Sequence, residues 1–319
     1  MNENPYSPAE RIQKAAVKGL KEINRYSELK YLYELKTLLG TYNNMPAERI
    51  VLSPGSDLLL REIINIFSRN RKIVMVSPYF FPVTQFALKQ ANRLTKIQLS
   101  PPDFSFNQDL LFNEISEPTL IVVDNPNNPT GKILLDGNSV EKILQNENAL
   151  LLVDEAYYEF SGQTFAGLIE KYPNLAITRT MDKAFSLAGL RLGYLLMGNC
   201  FKAYFSNLPT YLATPTIFAA IEALKNPEYM TANVNKILGE KIRLEKELTK
   251  TGIKVFPGST NFILIKSKLP DFGKRLMDAK MIIKDLSDEW LEGFYRISIG
   301  LPEENNALLS KIRKICDHV

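Results

Sequence analysis

The chain has 319 residues, 45% of them hydrophobic and 23% charged, enough to bury one large core and a smaller lobe. Its 39 basic and 35 acidic side chains are interspersed and leave a net charge of +4, a balance that argues against a nucleic-acid or membrane-surface partner. Two distant cysteines, Cys200 and Cys316, and a single histidine, His318, argue against a disulfide framework, a metal site and a Ser-His-Asp triad. Acid and base chemistry therefore falls to Lys, Tyr, Asp, Glu or a cofactor. The N-terminus shows no secretory leader and no apolar run reaches membrane-spanning length, so a cytoplasmic protein is expected.

The first forty residues are helical and rich in Tyr, and are expected to pack on a smaller lobe or on another subunit. From about Ile50 to Met197 short apolar runs recur: RIVLS, KIVMVS, TKIQLS, TLIVVD, ALLLVDE, LAITRT and GYLLMG. Near-continuous Val, Ile and Leu predicts strands buried on both faces, and the helical stretches between them predict an α/β fold with a mainly parallel sheet. Helical patterns follow at Thr216 to Lys225 and Asn233 to Lys250, then strand-like pieces in IKVFPG, TNFILIK, AKMIIKD and FYRISIG. The division expected is a large domain over residues 30–225 and a smaller α+β domain built from 1–29 and 226–319.

Three of the buried strands end in polar residues suited to chemistry. TLIVVD runs into NPNNPTG with Asn128, ALLLVDEAYY presents Asp154, and LAITRTMDK presents Lys183. Ligands of open α/β sheets sit beyond the carboxyl ends of the strands, so these three are expected in one crevice. A carboxylate there can keep a pyridine-type nitrogen protonated, and a lysine in an apolar pocket supplies a neutral amine. Arg191 adds a bidentate clamp for an anion, and the turn at Gly55, Ser56 and Asp57 offers N–H groups at a helix start. Any one of these residues alone is an ordinary turn or cap; their order along successive strand ends carries the reading.

NPNNPTGK, VDEAY and RTMDKAFSLAGLRLGY together resemble the class I/II, fold-type I aminotransferases, nearest to the histidinol-phosphate aminotransferases. The resemblance spans almost the whole chain, with NENPYSP, NRYSEL, VLSPGSDLLL and YRISIG in the family's order. It implies a seven-stranded, mainly parallel sheet, a pyridoxal 5'-phosphate cofactor, and a homodimer with a shared site. Lys183 would tether the cofactor and act as base, Asp154 would pair with its ring nitrogen, and Asn128 and Tyr157 would meet its phenolic oxygen. Phe80 would stack on the ring. Ser56, Asp57, Thr180 and Arg191 would hold the phosphate, with Tyr26 reaching in from the neighbouring subunit. Arg296 would grip the substrate carboxylate, with Lys284 and Tyr6 also on the substrate side.

Three departures from the family pattern stand out. Asp182 occupies a position where a phosphate-binding serine is usual, and must turn away from an anion. Lys284 replaces the arginine that meets a substrate phosphate, keeping the charge and losing the fork. The chain begins at the NENP motif, so a more open pocket is expected on that side. The small-molecule partners implied are an amino acid and a 2-oxo acid. Aromatic or aspartate transamination, threonine-phosphate decarboxylation and non-catalytic ligand binding on the same scaffold stay open at this point.

Overall fold

The computed structural model describes residues 1–205, 211–289 and 291–317, so His318 lies outside the described residues. Two helices come first, α1 (Glu10–Gly19) and α2 (Leu29–Asn43). The seven predicted runs become strands β1 (Ile50–Ser53), β2 (Lys72–Ser77), β3 (Leu94–Gln98), β4 (Thr119–Asp124), β5 (Ala149–Asp154), β6 (Leu175–Thr180) and β7 (Gly193–Met197). Between them lie α3 (Ser56–Phe67), α4 (Phe81–Gln90), α5 (Asp109–Asn113), α6 (Gly137–Leu144) and α7 (Tyr158–Ser161). The strands form one sheet in the order β1-β7-β6-β5-β4-β2-β3. All neighbours from β6 to β3 run parallel, and β7 is antiparallel to both β6 and β1.

The apolar runs are continuous because both faces of the sheet are covered. Along β4, Ile121 and Val123 join one hydrophobic cluster while Leu120 and Val122 join the other. Each such fully buried side chain contributes about 1.5–3 kcal/mol. Helix α3 covers one face through Leu59, Leu60, Ile63, Ile64 and Phe67, spaced three or four apart as an amphipathic stripe. Asp136 starts α6 with a capping box, its Oδ1 accepting from the Ser139 N–H at 2.8 Å.

After α8 (Asn199–Phe205) and α9 (Thr214–Lys225), the long α10 (Glu228–Thr249) leads into a second sheet. Its strands are β8 (Lys254–Phe256), β9 (Phe262–Lys266), β10 (Lys284–Asp285) and β11 (Phe294–Ser298), ordered β10-β11-β9-β8 and antiparallel throughout. Helices α11 (Phe272–Asp278) and α12 (Pro302–Asp317) complete the lobe. The AKMIIKD run yields only the two residues of β10. The N–H of Met281 is spent on the Leu276 carbonyl at 2.8 Å, closing the turn after α11, and Ile282 is exposed. Of the early helices, α1 packs along α9, and α2 packs along α9 and against β1.

Candidate active site

Strands β4, β5 and β6 are adjacent and parallel, so their carboxyl ends open on the same side. There lies a cavity of about 400 Å³ whose wall includes Asn128, Asp154 and Lys183. Tyr157, Phe80, Ser56, Asp57, Thr180, Arg191 and Arg296 line the same cavity. The three strand-tip residues therefore converge, as the order of the runs implies.

Asp154 is the last residue of β5 and is buried. Its Oδ1 accepts from the Thr178 hydroxyl at 3.1 Å and its Oδ2 from the Tyr79 hydroxyl at 3.4 Å. Burial raises its pKa to about 6, against the pull of those hydrogen bonds. Its register partner on β4, Asp124, is buried too and also lines the cavity. Asp124 accepts from the Asn127 side chain and from the Asn128 N–H, both at 2.7 Å, and so fixes the loop that carries Asn128. Burial pushes its carboxyl well above the usual range, and the neighbouring Asp154 adds to the rise. Asn128 in turn accepts from Arg296 of β11 through its Oδ1, a contact that joins the two lobes across the cavity.

Lys183 follows β6 and is half-buried, its Nζ donating to the Met1 carbonyl at 3.0 Å. Burial lowers its pKa; Asp182 opposes the shift, and Arg296 and Arg191 reinforce it. The result favours the neutral, nucleophilic amine. Asp182 is turned to Arg191, with which it pairs. Its other oxygen, Oδ1, is buried without a hydrogen-bond partner.

The corner around Arg191 is shaped by backbone. Arg191 has a left-handed φ of 53°, and its guanidinium holds Asp57 at 2.7 Å as well as Asp182. Gly55, at φ 103°, precedes the first turn of α3, and a Cβ there would strike the Arg191 guanidinium. No side chain caps α3, so the helix start presents its N–H groups. The Thr180 hydroxyl donates to the Leu192 carbonyl at 3.2 Å and accepts the Asp182 N–H at 3.0 Å. Its single proton is thereby engaged within the protein, a restraint that the sequence does not reveal.

Taken together the walls fit a flat ring with a basic nitrogen and an anionic arm. An acid of raised pKa, an amine of lowered pKa, the aromatic Phe80 and a cradle of guanidinium plus helix start all face one volume. Not every predicted residue is here. Tyr26 is exposed, its ring 5.2 Å from that of Tyr211, and lines a separate cavity. Tyr6 sits beneath Lys236, the Nζ 5.1 Å from its ring. Lys284 lines an adjoining cavity of about 530 Å³ that shares Met1, Glu3 and Arg296 with the first. Two residues were missed in the sequence. Asp124 was visible as a second strand-terminal carboxylate directly before NPNNPTG. Asn2 opens the NENPYSP motif but was given no role, and its side chain donates to the Tyr157 hydroxyl at 2.9 Å.

The family model for aminotransferase class I and II matches residues 1–312. A histidinol-phosphate aminotransferase of Sulfurisphaera tokodaii is 34% identical, over 100% of this chain and 90% of its own length. Among solved structures, the histidinol-phosphate aminotransferase from Clostridium acetobutylicum superposes with a TM-score of 0.91 at 23% identity, covering 100% of this chain and 98% of that one. That from Sinorhizobium meliloti, in complex with pyridoxal-5'-phosphate, gives 0.86 at 23% identity, covering 99% and 89%. At these identities the two structures establish the fold.

Proposed function

Because this chain belongs to the class I and II aminotransferases, we propose that its cavity transfers the amino group of histidinol phosphate to a 2-oxo acid. The enzyme is pyridoxal-phosphate-dependent and moves an amino group between an amino acid or amine and a 2-oxo acid. The observation that carries the residue roles is the meeting of amine, acid and amide from three adjacent strand tips in one cavity.

When bound, the cofactor supplies the carbon that takes the amino group and a ring that spreads the charge left at the substrate Cα. Lys183 would hold it, and its amine, of lowered pKa, would be the base that moves the proton from Cα. Asp154 would hold the ring nitrogen protonated, and the positive nitrogen would draw its raised pKa back down. Asn128 and Tyr157, which line the cavity, would meet its phenolic oxygen, and Phe80 would cover its ring. Arg191, Ser56, Asp57 and Thr180 hold the phosphate, Thr180 chiefly by fixing the backbone around Asp182. Arg296 orients the substrate carboxylate or its counterpart, and Lys284, in the adjoining cavity, offers a cation for a substrate phosphate. Tyr6 is assigned to the substrate side as well.

The division into residues 30–225 and the rest belongs to this reading, as does a homodimer in which the partner subunit's Tyr26 completes the phosphate site. Ile23, Leu29 and Tyr33 are exposed beside Tyr26, an apolar surface of the kind that subunits cover.

The test is a donor panel of histidinol phosphate, glutamate, aspartate and phenylalanine, with product analysis and sedimentation of the holoenzyme. Preference for histidinol phosphate, transamination products, a dimer, and no turnover in Lys183→Ala are expected. Preference for an unphosphorylated donor overturns the substrate, and an active monomer overturns the shared site.

A further inference from the structure

Asn2 is 1% exposed and has a left-handed φ of 54°. Its polar groups join three separate parts of the fold. The backbone N–H donates to the Ser298 hydroxyl of β11 at 3.2 Å, and the carbonyl accepts from Asn261, just before β9, at 2.9 Å. The Ser298 hydroxyl donates to the side-chain Oδ1 at 2.8 Å, and the side-chain Nδ2 donates to the Tyr157 hydroxyl at 2.9 Å. The first two ties anchor Asn2 to the smaller sheet. Tyr157 belongs to the segment after β5 of the larger sheet.

These bonds determine which way each proton points. Ser298 accepts the Asn2 N–H, so its own proton goes to Oδ1, and that fixes the orientation of the amide. Nδ2 must then be the donor toward Tyr157, whose oxygen is an acceptor in this pair. The Tyr157 proton is left to point elsewhere, and Tyr157 lines the cavity.

We propose that Asn2 is a positioning residue for the reaction: by donating to the Tyr157 oxygen it aims the Tyr157 hydroxyl proton into the cavity, at the cofactor's phenolic oxygen. Because the same residue is bound to Ser298 and Asn261, the aim is tied to the seating of the smaller sheet over the site. This rests on the reading that Tyr157 faces that oxygen. Burial raises the Tyr157 pKa to about 12, with Arg296 and the Asn2 hydrogen bond pulling it down, so the hydroxyl keeps its proton across the working range.

The readout is the pH midpoint of the holoenzyme's visible absorption, which reports stabilisation of the cofactor oxygen as an anion. A donor hydrogen bond to that oxygen lowers the midpoint, so losing it raises the midpoint by about half to one pH unit. Asn2→Ala removes the donor. Asn2→Asp keeps the volume and the tolerance for left-handed backbone but accepts the Tyr157 proton, and is expected to raise the midpoint further. It carries the test by itself if the alanine variant does not fold. Tyr157→Phe separates the two levels of the argument. If Tyr157→Phe leaves the midpoint unchanged, the role of Tyr157 falls, and the proposal with it. If Tyr157→Phe raises it and both Asn2 variants leave it in place, the proposal alone falls. An Asn2→Asp shift that vanishes in the Tyr157→Phe background supports it; one that persists undiminished there assigns Asn2 a merely structural role and overturns it.

Discussion

Asp154 works against the stability of the chain that carries it. Its carboxyl titrates at about 6 in the folded protein against an ordinary 3.8, because burial disfavours the charged form. A raised folded pKa means a contribution that is fully present below about pH 4 and lost as pH climbs through 6. Asp154→Asn should therefore leave the cofactor-free protein unchanged near pH 3.5 and make it more stable by about 3 kcal/mol at pH 8. Urea unfolding at both pH values checks this, and parallel curves for the two proteins would contradict it. The same substitution is expected to abolish transamination, since a neutral amide cannot hold the ring nitrogen protonated. Asp154 was legible because it ends an uninterrupted apolar run, where a polar side chain needs a reason. Asp124 hid in plain view at the tip of β4, and Asn2 was illegible because its partners Tyr157, Ser298 and Asn261 are distant in sequence.

At the scale of elements, the joint between β1, α3 and β7 decides the geometry of the anion corner. Gly193 opens β7 opposite Ser53, and a Cβ built on it would run into the Ser56 N–H and the Gly55 carbonyl carbon. Gly193→Ala must push the start of α3 away from the strand, an overpacking that costs about 1–3 kcal/mol. Its N–H groups would then miss the phosphate. The expected outcome is at least tenfold weaker retention of pyridoxal phosphate, read by equilibrium dialysis, with the melting temperature of the cofactor-free protein lowered as well. Retention equal to the parent's would show that α3 does not bind the anion. The central strands of the larger sheet could be read from composition, because burial on both faces favours Val, Ile and Leu without alternation, whereas β3, at the edge, is only partly buried. The short β10 could not: MII is equally apolar whether it pairs or merely rounds a turn, and hydrogen bonding alone separates the two.

Across the whole molecule, the lobes touch where the NPNNPTG loop meets the turn before β9. Ser259 donates to the Gly131 carbonyl at 2.7 Å, and a Cβ on Gly258 would lie 2.7 Å from the Gly131 Cα. Lys241, buried in α10, steadies that turn by donating to the Gly258 and Thr260 carbonyls, the latter at 3.0 Å. Gly258→Ala should wedge the lobes apart and separate Arg296 from Asn128. A roughly tenfold rise in KM for the amino donor, with cofactor binding retained, is the expected signature. An unaltered KM would mean that the lobes meet productively by another route. The two lobes were visible in the change from alternating strands and helices to long helices; the joint was not, since both contacting segments look like ordinary turns.

One consequence follows from the place of β4, β5 and β6 in the middle of the larger sheet, between β2 and β7. Amides with paired strands on either side exchange with deuterated water only when large parts of the fold open together. The strand tips bearing Asp154 and Lys183 are thus rooted in backbone expected to exchange slowly, whereas Arg296 arrives on a different sheet. Partial unfolding is therefore expected to free Arg296 from the cavity before it disturbs Asp154 and Lys183.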